Sequence, residues 1–316
     1  MRAIVLAGNG DASMLQVADV PKPAPAPGQL LVQVQAVGVN PIDYKLRQTG
    51  AFGFSTGAIL GFDCAGVVEA VGPGVREYKR GDAVFYSPDF SGPGAYSEYH
   101  CVSADIVAFK PKCVDFIEAA AIPLAGMTAW DSIMDRGALR LGETVLIHGA
   151  AGGVGSIAVQ LAHAAGAYVF ATASPANIGL VRSLGADYVI DRTKEDFAQV
   201  ISSHAPRGAA DLVFDAFGAD LVSRSMPVVR PLGRIVTIVN PSGDLAVGYR
   251  KNISLHYVFL QRRRSTLEAL SHLLARRLLK PVISHVLPLE QAAEAHRMLE
   301  AGGGFGKIVL KVTHAA

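Results

Sequence analysis

Apolar and polar residues alternate along the first third of the chain, and this period of two predicts β-strands. In residues 30–39, LLVQVQAVGV, valine and alanine fall on one face and glutamine on the other. Residues 65–75 contain another strand that ends in a Gly-Pro-Gly turn, and residues 81–88 begin a strand after a Gly-Asp turn. Short strands separated by such turns indicate a small β-barrel or β-sandwich.

From residue 144 onward the pattern changes to a repeat of strand and helix. The apolar run TVLIHG (144–149) precedes a glycine-rich segment with helical spacing, and the strand YVFATAS (168–174) follows it. Further strands are predicted in YVID, ADLVFDAFG and GRIVTIV. This alternation is typical of a parallel sheet with helices on both faces, so an α/β fold is expected. The chain after about residue 259 is mixed and ends in a strand at 306–312.

The composition narrows the class of protein. With 316 residues the chain exceeds the usual size of one hydrophobic core, so two domains are expected. A net charge of +2 provides no strongly basic surface for nucleic acid. Three cysteines without CxxC spacing argue against a disulfide framework and a zinc ribbon. We find no signal peptide and no apolar run of membrane-spanning length, so a cytoplasmic protein is expected.

The most informative motif is AAGGVG at 150–155, which follows a predicted strand and opens a predicted helix. Gly152 and Gly155 take the later two glycine positions of the GxGxxG pattern, and Ala150 replaces the first. Backbone amides in such a turn can approach a pyrophosphate, and the helix dipole favours its charge. The alternative is a small-residue helix packed tightly on a sheet. The residues predicted to contact a dinucleotide here are Ala151, Gly152, Gly153 and Val154.

The end of the next strand, ATASPAN at 171–177, indicates which dinucleotide is bound. NAD-binding proteins usually carry an acidic residue there, whereas this chain has Ser174, which can donate a hydrogen bond to a 2′-phosphate. Arg192, after the following strand, is predicted to add positive charge. NADPH is therefore favoured over NADH. Ser174 could instead cap a helix, and Arg192 could be an ordinary surface residue.

The chain as a whole resembles the medium-chain dehydrogenase/reductase superfamily, and within it the NADPH:quinone oxidoreductase (zeta-crystallin-like) group. The resemblance implies a Rossmann cofactor domain with a parallel doubly wound sheet and a GroES-like β-barrel catalytic domain built from both chain ends. The implied boundaries are 1–121 and 259–316 for the catalytic domain and 122–258 for the cofactor domain. The matching stretches are 36–50, 61–75, 81–85, 94–99, 122–130, 145–162, 171–177, 184–191 and 306–310.

The zinc alcohol dehydrogenases of this superfamily differ from the chain at the metal-binding positions. Asn40 stands where they carry a cysteine, and Gly61-Phe62-Asp63 replaces their Gly-His-Glu. The structural zinc lobe with its four cysteines is also missing, and the neighbouring Cys64, His100 and Cys101 do not have a convincing ligand pattern. We expect no metal. Without a Lewis acid, alcohol oxidation is disfavoured and reduction of a conjugated carbonyl is favoured.

The resemblance also implies residues for catalysis in the loop NPIDYK, which faces the nicotinamide in this family. Asn40 would hydrogen-bond the nicotinamide ribose or the substrate oxygen. Tyr44 could donate a proton or a hydrogen bond to the developing oxyanion, and Lys45 could stabilise the same charge. In the alternative, Asp43 only caps a turn, Tyr44 packs, Lys45 is solvated and solvent supplies the proton.

Further cofactor contacts are expected at strand ends and by position in the family motifs. They are Asn40, Thr128, Phe217, Gly218, Val239, Asn240 and Lys307. His148, just before the glycine turn, is interpreted as structural.

The expected function is therefore a zinc-independent, NADPH-dependent reduction of a quinone or an α,β-unsaturated carbonyl compound. The rivals are an enoyl-thioester reductase and a non-catalytic NADPH-binding protein of the crystallin type. A homodimer is expected from the family, and residues 252–260 are its predicted pairing strand.

Overall fold

The strands of the chain form three hydrogen-bonded sheets in the computed structural model, which describes residues 1–314. In chain order the strands are β1 (Arg2–Leu6), β2 (Leu15–Asp19), β3 (Gln29–Val39), β4 (Cys64–Val71), β5 (Ala83–Tyr86), β6 (Tyr99–Ser103), β7 (Ala108–Phe109), β8 (Thr144–His148), β9 (Tyr168–Ala173), β10 (Tyr188–Asp191), β11 (Ala210–Asp215), β12 (Val229–Thr237), β13 (Ser254–Tyr257), β14 (Ile283–Pro288) and β15 (Lys307–Lys311).

The helices are short and connect these strands. They are α1 (Pro41–Thr49), α2 (Phe116–Ala120), α3 (Pro123–Trp130), α4 (Gly153–Ala164), α5 (Ile178–Ser183), α6 (Phe197–His204), α7 (Leu221–Ser225), α8 (Ala246–Arg250), α9 (Arg264–Ala275) and α10 (Ala292–Ala301). A π-helical segment, Asp131–Arg136, continues α3. Single 3₁₀ turns occur at Ala12–Met14, Ala51–Gly53, Ala104–Ile106, Pro175–Asn177, Met226–Val228 and Leu289–Gln291.

The chain divides into two units, and both chain ends belong to the same one. The terminal unit contains Met1–Leu124, Arg262–Arg277 and the described residues from Pro281 onward, and the middle unit contains Ala125–Gln261 with Leu278–Lys280. The boundaries 121/122 and 258/259 predicted from the sequence each fall three residues before a change of unit. Residues 278–280 were predicted to belong to the catalytic domain, but they belong to the middle unit. The buried Gln160 side chain explains the difference, because it bonds both the backbone carbonyl and the amide of Lys280, at 3.0 and 2.8 Å.

The middle unit contains one six-stranded sheet in which all strands run parallel, in the order β10-β9-β8-β11-β12-β13. Its central strands are continuous apolar runs because helices cover both faces of a parallel sheet. Leu146, Phe170 and Val213, one from each of three neighbouring strands, are fully buried in the same core. The strand order reverses between β8 and β11, and α/β proteins bind ligands at the carboxyl edge beside such a reversal.

One of the two edge strands of this sheet is β13, which pairs with β12 on one side. Tyr257 at its end is 61% exposed. The predicted dimer through 252–260 stays a prediction, and this edge strand is where it would form.

The terminal unit contains a seven-stranded sheet in the order β14-β15-β3-β4-β5-β7, with β6 also paired to β3. β3 accommodates three partners because it is 11 residues long. Its first half pairs with β6 and its last residues pair with β15, where Val39 lies opposite Ile308. This register places the beginning of β15 next to the loop that follows β3.

Candidate functional site

The glycine-rich turn joins β8 to α4 at the carboxyl edge of the parallel sheet. Gly149 has a φ of +72°, a conformation that residues with a side chain rarely adopt. Any Cβ at Gly155 would overlap the carbonyl oxygen of Gly149, so glycine is required where the helix packs on the turn. The amide of Gly152 donates to the Gly149 carbonyl at 3.0 Å. The first amides of α4, those of Gly153 and Val154, have no intrahelical partner and are available to an anion.

The two residues predicted to bind a 2′-phosphate lie on adjacent strand ends. The Arg192 amide donates to the carbonyl of Ala173 at 3.1 Å, which places Arg192 beside Ser174. The Arg192 side chain is exposed, and its guanidinium carbon lies 5.7 Å from the centre of the Phe217 ring. The Ser174 hydroxyl accepts a hydrogen bond from Asn177 Nδ2 at 3.2 Å and makes no helix-capping bond.

The turns after β11 and β12 are held together by two residues that the sequence reasoning missed. Asp215 Oδ1 accepts the amides of Phe217 and Gly218, both at 2.9 Å. Thr237 Oγ1 lies 3.3 Å from Asp215 Oδ2 and accepts the Val239 amide at 3.2 Å. The available signal was a polar residue at the end of each of these apolar strands.

The structure thus brings most of the predicted cofactor residues to one edge of the sheet. Four turns contribute to it, those after β8, β10, β11 and β12, together with the end of β9. Asn240 is exposed beside Val239 at this edge. Thr128 lies in α3, where it is buried and its carbonyl accepts the Ser132 hydroxyl at 2.7 Å.

His148, the last residue of β8, is fully buried. Its ring nitrogens lie 2.9 Å from the Ser225 hydroxyl and 3.3 Å from the Thr172 hydroxyl. Burial lowers the pKa of His148 to about 3, so the ring is neutral at physiological pH. Both nitrogens are engaged inside the unit, which agrees with a structural role.

In the terminal unit, Asn40, Asp63 and Lys307 form a buried polar cluster. Asp63 Oδ2 accepts Asn40 Nδ2 at 2.8 Å and Lys307 Nζ at 2.9 Å, and Lys307 also donates to Asn40 Oδ1. The backbone amide of Leu124 donates to Asp63 Oδ1 at 2.5 Å. Gly38 makes room for this cluster, because a Cβ there would lie 2.8 Å from Asp63 Oδ2. Burial raises the pKa of Asp63, and the Lys307 ammonium and the three donors oppose that rise.

Asp43 lies in the first turn of α1 and connects the loop to the same cluster. Its carboxyl oxygens accept the amides of Asn40 at 2.7 Å and Gly61 at 3.2 Å, and the Tyr96 hydroxyl also bonds it. Burial raises the pKa of Asp43 to about 7. The Lys307 ammonium bonds Asp63 and also lowers the pKa of Asp43 electrostatically; when Asp43 is protonated, the charges of Lys307 and Asp63 cancel.

Tyr44 and Lys45 follow Asp43 in α1, and their side chains make none of the hydrogen bonds of this cluster. Tyr44 is half-buried and Lys45 is exposed. Within residues 1–314, neither the Tyr44 hydroxyl nor the Lys45 ammonium makes a hydrogen bond or ion pair. Both groups are free to interact with a bound molecule.

The positions considered for a metal hold other interactions. Phe62 is fully buried among aromatic rings. The ring nitrogens of His100 lie 3.0 Å from the Tyr86 hydroxyl and 2.9 Å from the Pro93 carbonyl, and burial raises the pKa of the Cys64 thiol to about 12. Across the described part of the chain, no group of three or more His, Cys, Asp or Glu side chains could hold a metal ion. None of the helices in residues 1–314 is long and apolar enough to cross a membrane.

Two families match the chain in separate regions. Residues 26–112 match the alcohol dehydrogenase GroES-like domain, and residues 184–310 match the family described as zinc-binding dehydrogenase.

Relatives of the chain align over nearly its whole length. A zinc-type alcohol dehydrogenase-like protein of Staphylococcus aureus is 32% identical over 96% of both chains. The NADPH-dependent alkenal/one oxidoreductase of Arabidopsis thaliana is 33% identical over 98% of this chain and 79% of its own length. The quinone oxidoreductase of Sus scrofa is 32% identical over 92% of both chains.

Solved structures share the fold. A crystal structure described as NAD-dependent alcohol dehydrogenase superimposes with a TM-score of 0.93 at 33% identity, covering 99% of this chain and 100% of the other. The quinone oxidoreductase from Coxiella burnetii gives a TM-score of 0.90 at 32% identity, covering 99% of both chains. These likenesses establish the architecture of both units.

Proposed function

The chain belongs to the medium-chain dehydrogenase/reductase superfamily, and we propose that it reduces a quinone or an α,β-unsaturated carbonyl compound with NADPH, without zinc. The main support is the carboxyl edge of the parallel sheet, where the turn after β8 leads into the N-terminus of α4 at the reversal of strand order. Relatives named for quinone and alkenal/one reduction support the choice of acceptor.

The residues at this edge fit a dinucleotide. The amides of Gly153 and Val154 would hold the pyrophosphate, since Gly152 and Gly153 have no side chains to block the approach to the start of α4. Ser174 stands at the position of the acidic residue that NAD-binding proteins use for the ribose hydroxyls. With the exposed guanidinium of Arg192 beside it, a 2′-phosphate would find a hydroxyl and a cation. This arrangement favours NADPH over NADH.

When bound, NADPH supplies a hydride, so two electrons pass to the acceptor, and one proton from the protein or solvent completes the reduction. The Tyr44 hydroxyl is a candidate donor in α1, because it is half-buried and has no competing hydrogen bond in residues 1–314. Lys45 would stabilise negative charge on the acceptor oxygen. Asn40 has less freedom, because its amide oxygen binds Lys307 and its Nδ2 binds Asp63. Asn40 Nδ2 also donates to the Gly38 carbonyl oxygen, but at 3.4 Å this hydrogen bond is long and weak. The N–H in this weak bond is the one that Asn40 would offer to a ligand.

The donor set of the buried cluster does not fit zinc. Asn40 and Phe62 stand where the zinc enzymes carry ligands, and Phe62 has no atom that binds a metal. The Lys307 ammonium, bonded to both Asn40 and Asp63, already balances the buried negative charge, and it would repel a second cation.

The test is oxidation of NADPH and of NADH by the purified protein with a panel of quinones, enones and an enoyl thioester. Turnover with a quinone or enone and NADPH supports the proposal. Preferred turnover of the enoyl thioester would instead identify the rival reductase, and tight binding of NADPH without turnover of any acceptor would identify a binding protein.

Two sets of variants refine the test. Arg192→Ala should weaken NADPH binding about tenfold and leave NADH binding unchanged, as expected for the loss of one charge-assisted contact. Arg182→Ala, an exposed arginine on α5, is the matched control. Tyr44→Phe and Lys45→Ala should each lower kcat/KM for the acceptor about tenfold or more. Unchanged kcat/KM in both would assign the proton to solvent.

A further inference from the structure

A cavity of about 240 Å³ lies in the terminal unit between two loops that carry aromatic residues. The loops cover residues 52–59 and 90–93, and they contribute the rings of Phe52, Phe54 and Phe90. An apolar cavity of about 150 Å³ is sufficient for benzene. A cavity of this size therefore accommodates a planar two-ring system.

The three rings that line the cavity form one connected group with the buried ring of Phe62. This group is here called the phenylalanine cluster: Phe52, Phe54, Phe62 and Phe90. Phe52 stacks on Phe90 with centroids 5.4 Å apart and planes 18° apart. Phe90 meets Phe62 edge to face at 4.7 Å, and Phe62 meets Phe54 in the same way at 5.6 Å. A 5.4 Å separation is too small to admit a further ring, so a ligand must lie beside the stack, in the cavity.

The cluster adjoins the buried polar residues of the candidate site along the chain. Phe62 precedes Asp63, whose carboxylate binds Asn40 and Lys307. The amide of Gly61, on the other side of Phe62, donates to Asp43 at 3.2 Å, so the segment that carries Phe62 is fixed to both buried carboxyl groups of the candidate site.

Phe52 has features that stability alone does not explain. Its backbone lies in the left-handed region, with φ 56° and ψ 19°, which a residue with a side chain rarely adopts. Its side chain is nevertheless 61% exposed. A strained backbone that presents a large apolar ring to solvent indicates a function for that ring.

Phe90, in contrast, is held firmly in place. The Arg262 guanidinium carbon lies 4.1 Å from the centre of the Phe90 ring. Arg262 Nε also donates to the carbonyls of Pro88 at 2.5 Å and Ser87 at 3.2 Å. The aromatic wall is therefore preorganised, which lowers the entropy lost when a ligand binds.

We propose that the phenylalanine cluster is the acceptor subsite, and that it selects planar acceptors with two fused rings, such as naphthoquinones, over single-ring acceptors. This inference rests on the proposed function for its kinetic test. A second test by binding alone does not require turnover.

The two informative variants are Phe52→Gly and Gly92→Leu. Phe52→Gly removes the ring and also relieves the backbone strain, so its melting temperature should equal or exceed that of the wild type. Gly92 lines the cavity without a positive φ, and a Cβ there would have no neighbour within 4 Å. Gly92→Leu therefore fills the cavity without strain. Phe109→Ala is the matched control, because Phe109 is 45% exposed and packs on Tyr78, away from the cavity lining.

Both variants should lower kcat/KM for 1,4-naphthoquinone about tenfold and that for 1,4-benzoquinone less than about twofold. They should also weaken binding of 2-acetylnaphthalene, an unreactive probe, at least about fivefold by equilibrium dialysis, while Phe109→Ala changes neither value. An equal effect on both quinones, or no binding of the probe by the wild type, would overturn the subsite. Binding of the probe without turnover of either quinone would uphold the subsite and reject the proposed function.

Discussion

The net charge of the buried polar cluster depends on whether Asp43 is protonated. Burial raises the pKa of Asp43 from 3.8 to about 7 in the folded protein. Between these values the folded state holds a proton that the unfolded chain has released. Folding therefore takes up a proton, and the free energy of unfolding falls as the pH rises from about 4 to about 7.

The substitution Asp43→Asn removes this titration and keeps a neutral side chain of nearly the same shape. At about 1.4 kcal/mol per pH unit, the rise from 3.8 to about 7 corresponds to at most roughly 4 kcal/mol. The NH₂ group of the new asparagine cannot accept the backbone N–H that a carboxyl oxygen of Asp43 accepted. The loss of this hydrogen bond lowers the free energy of unfolding by about 1–2 kcal/mol at every pH. Relative to the wild type, the variant should therefore be about 1–2 kcal/mol less stable at pH 4 and up to roughly 2–3 kcal/mol more stable at pH 8.

Urea unfolding of the full chain, followed by circular dichroism from pH 4 to pH 8, measures this difference. Burial lowers the pKa of His100 to about 4 and those of His148 and His296 to about 3, so these residues make the protein more stable as the pH rises. Their effect cancels when variant and wild type are compared at each pH. Asp105→Asn, at an exposed position, is the control. A constant difference for Asp43→Asn would mean that Asp43 is ionised throughout, and the neutral-cluster reasoning would be wrong.

Two further substitutions test the charge balance of the buried polar cluster and the close packing of the glycine-rich turn. Lys307→Met leaves the Asp63 carboxylate buried without its cation, so the free energy of unfolding should fall by about 3–5 kcal/mol. Urea unfolding measures this change. A double variant that also carries Asp63→Leu should recover most of the lost stability. Gly155→Ala places a Cβ into the Gly149 carbonyl, so the variant should lose most NADPH affinity and several degrees of melting temperature. Gly179→Ala, in an exposed helix with open space around the new Cβ, should be neutral or stabilise by about 0.5–1 kcal/mol; equal effects at the two glycines would contradict the close-packing argument.

Much of the fold follows from short-range patterns. The apolar runs of β8 and β9, the glycines between them and the repeated strand–helix units predict a parallel sheet, and the structure confirms the fold class. The two-residue period of 30–39 also predicts β3. These features are local, because periodicity and turn residues act over a few neighbours. The candidate cofactor residues could be named for the same reason, since the ends of parallel strands share one edge.

The candidate site depends on contacts that no local pattern contains. Lys307 was expected to reach the cofactor, but in the fold its ammonium is bonded to Asn40 and Asp63, which lie more than 240 residues away in the sequence. Gly152 was expected to offer its amide to a phosphate, yet that amide donates to Gly149. Whether either residue also contacts the cofactor stays a prediction.

The sequence by itself indicated several of the strands, including those of the strand–helix repeat, the position of the glycine turn and the family that the chain resembles. Only the tertiary structure decided which polar groups are buried together, that Asp43 lies near the Lys307 ammonium that binds Asp63, and that three phenylalanines line one cavity. The physical reason is that strand and turn preferences act between neighbours in the chain. Burial, charge balance and cavity shape depend instead on which distant residues the fold brings into contact.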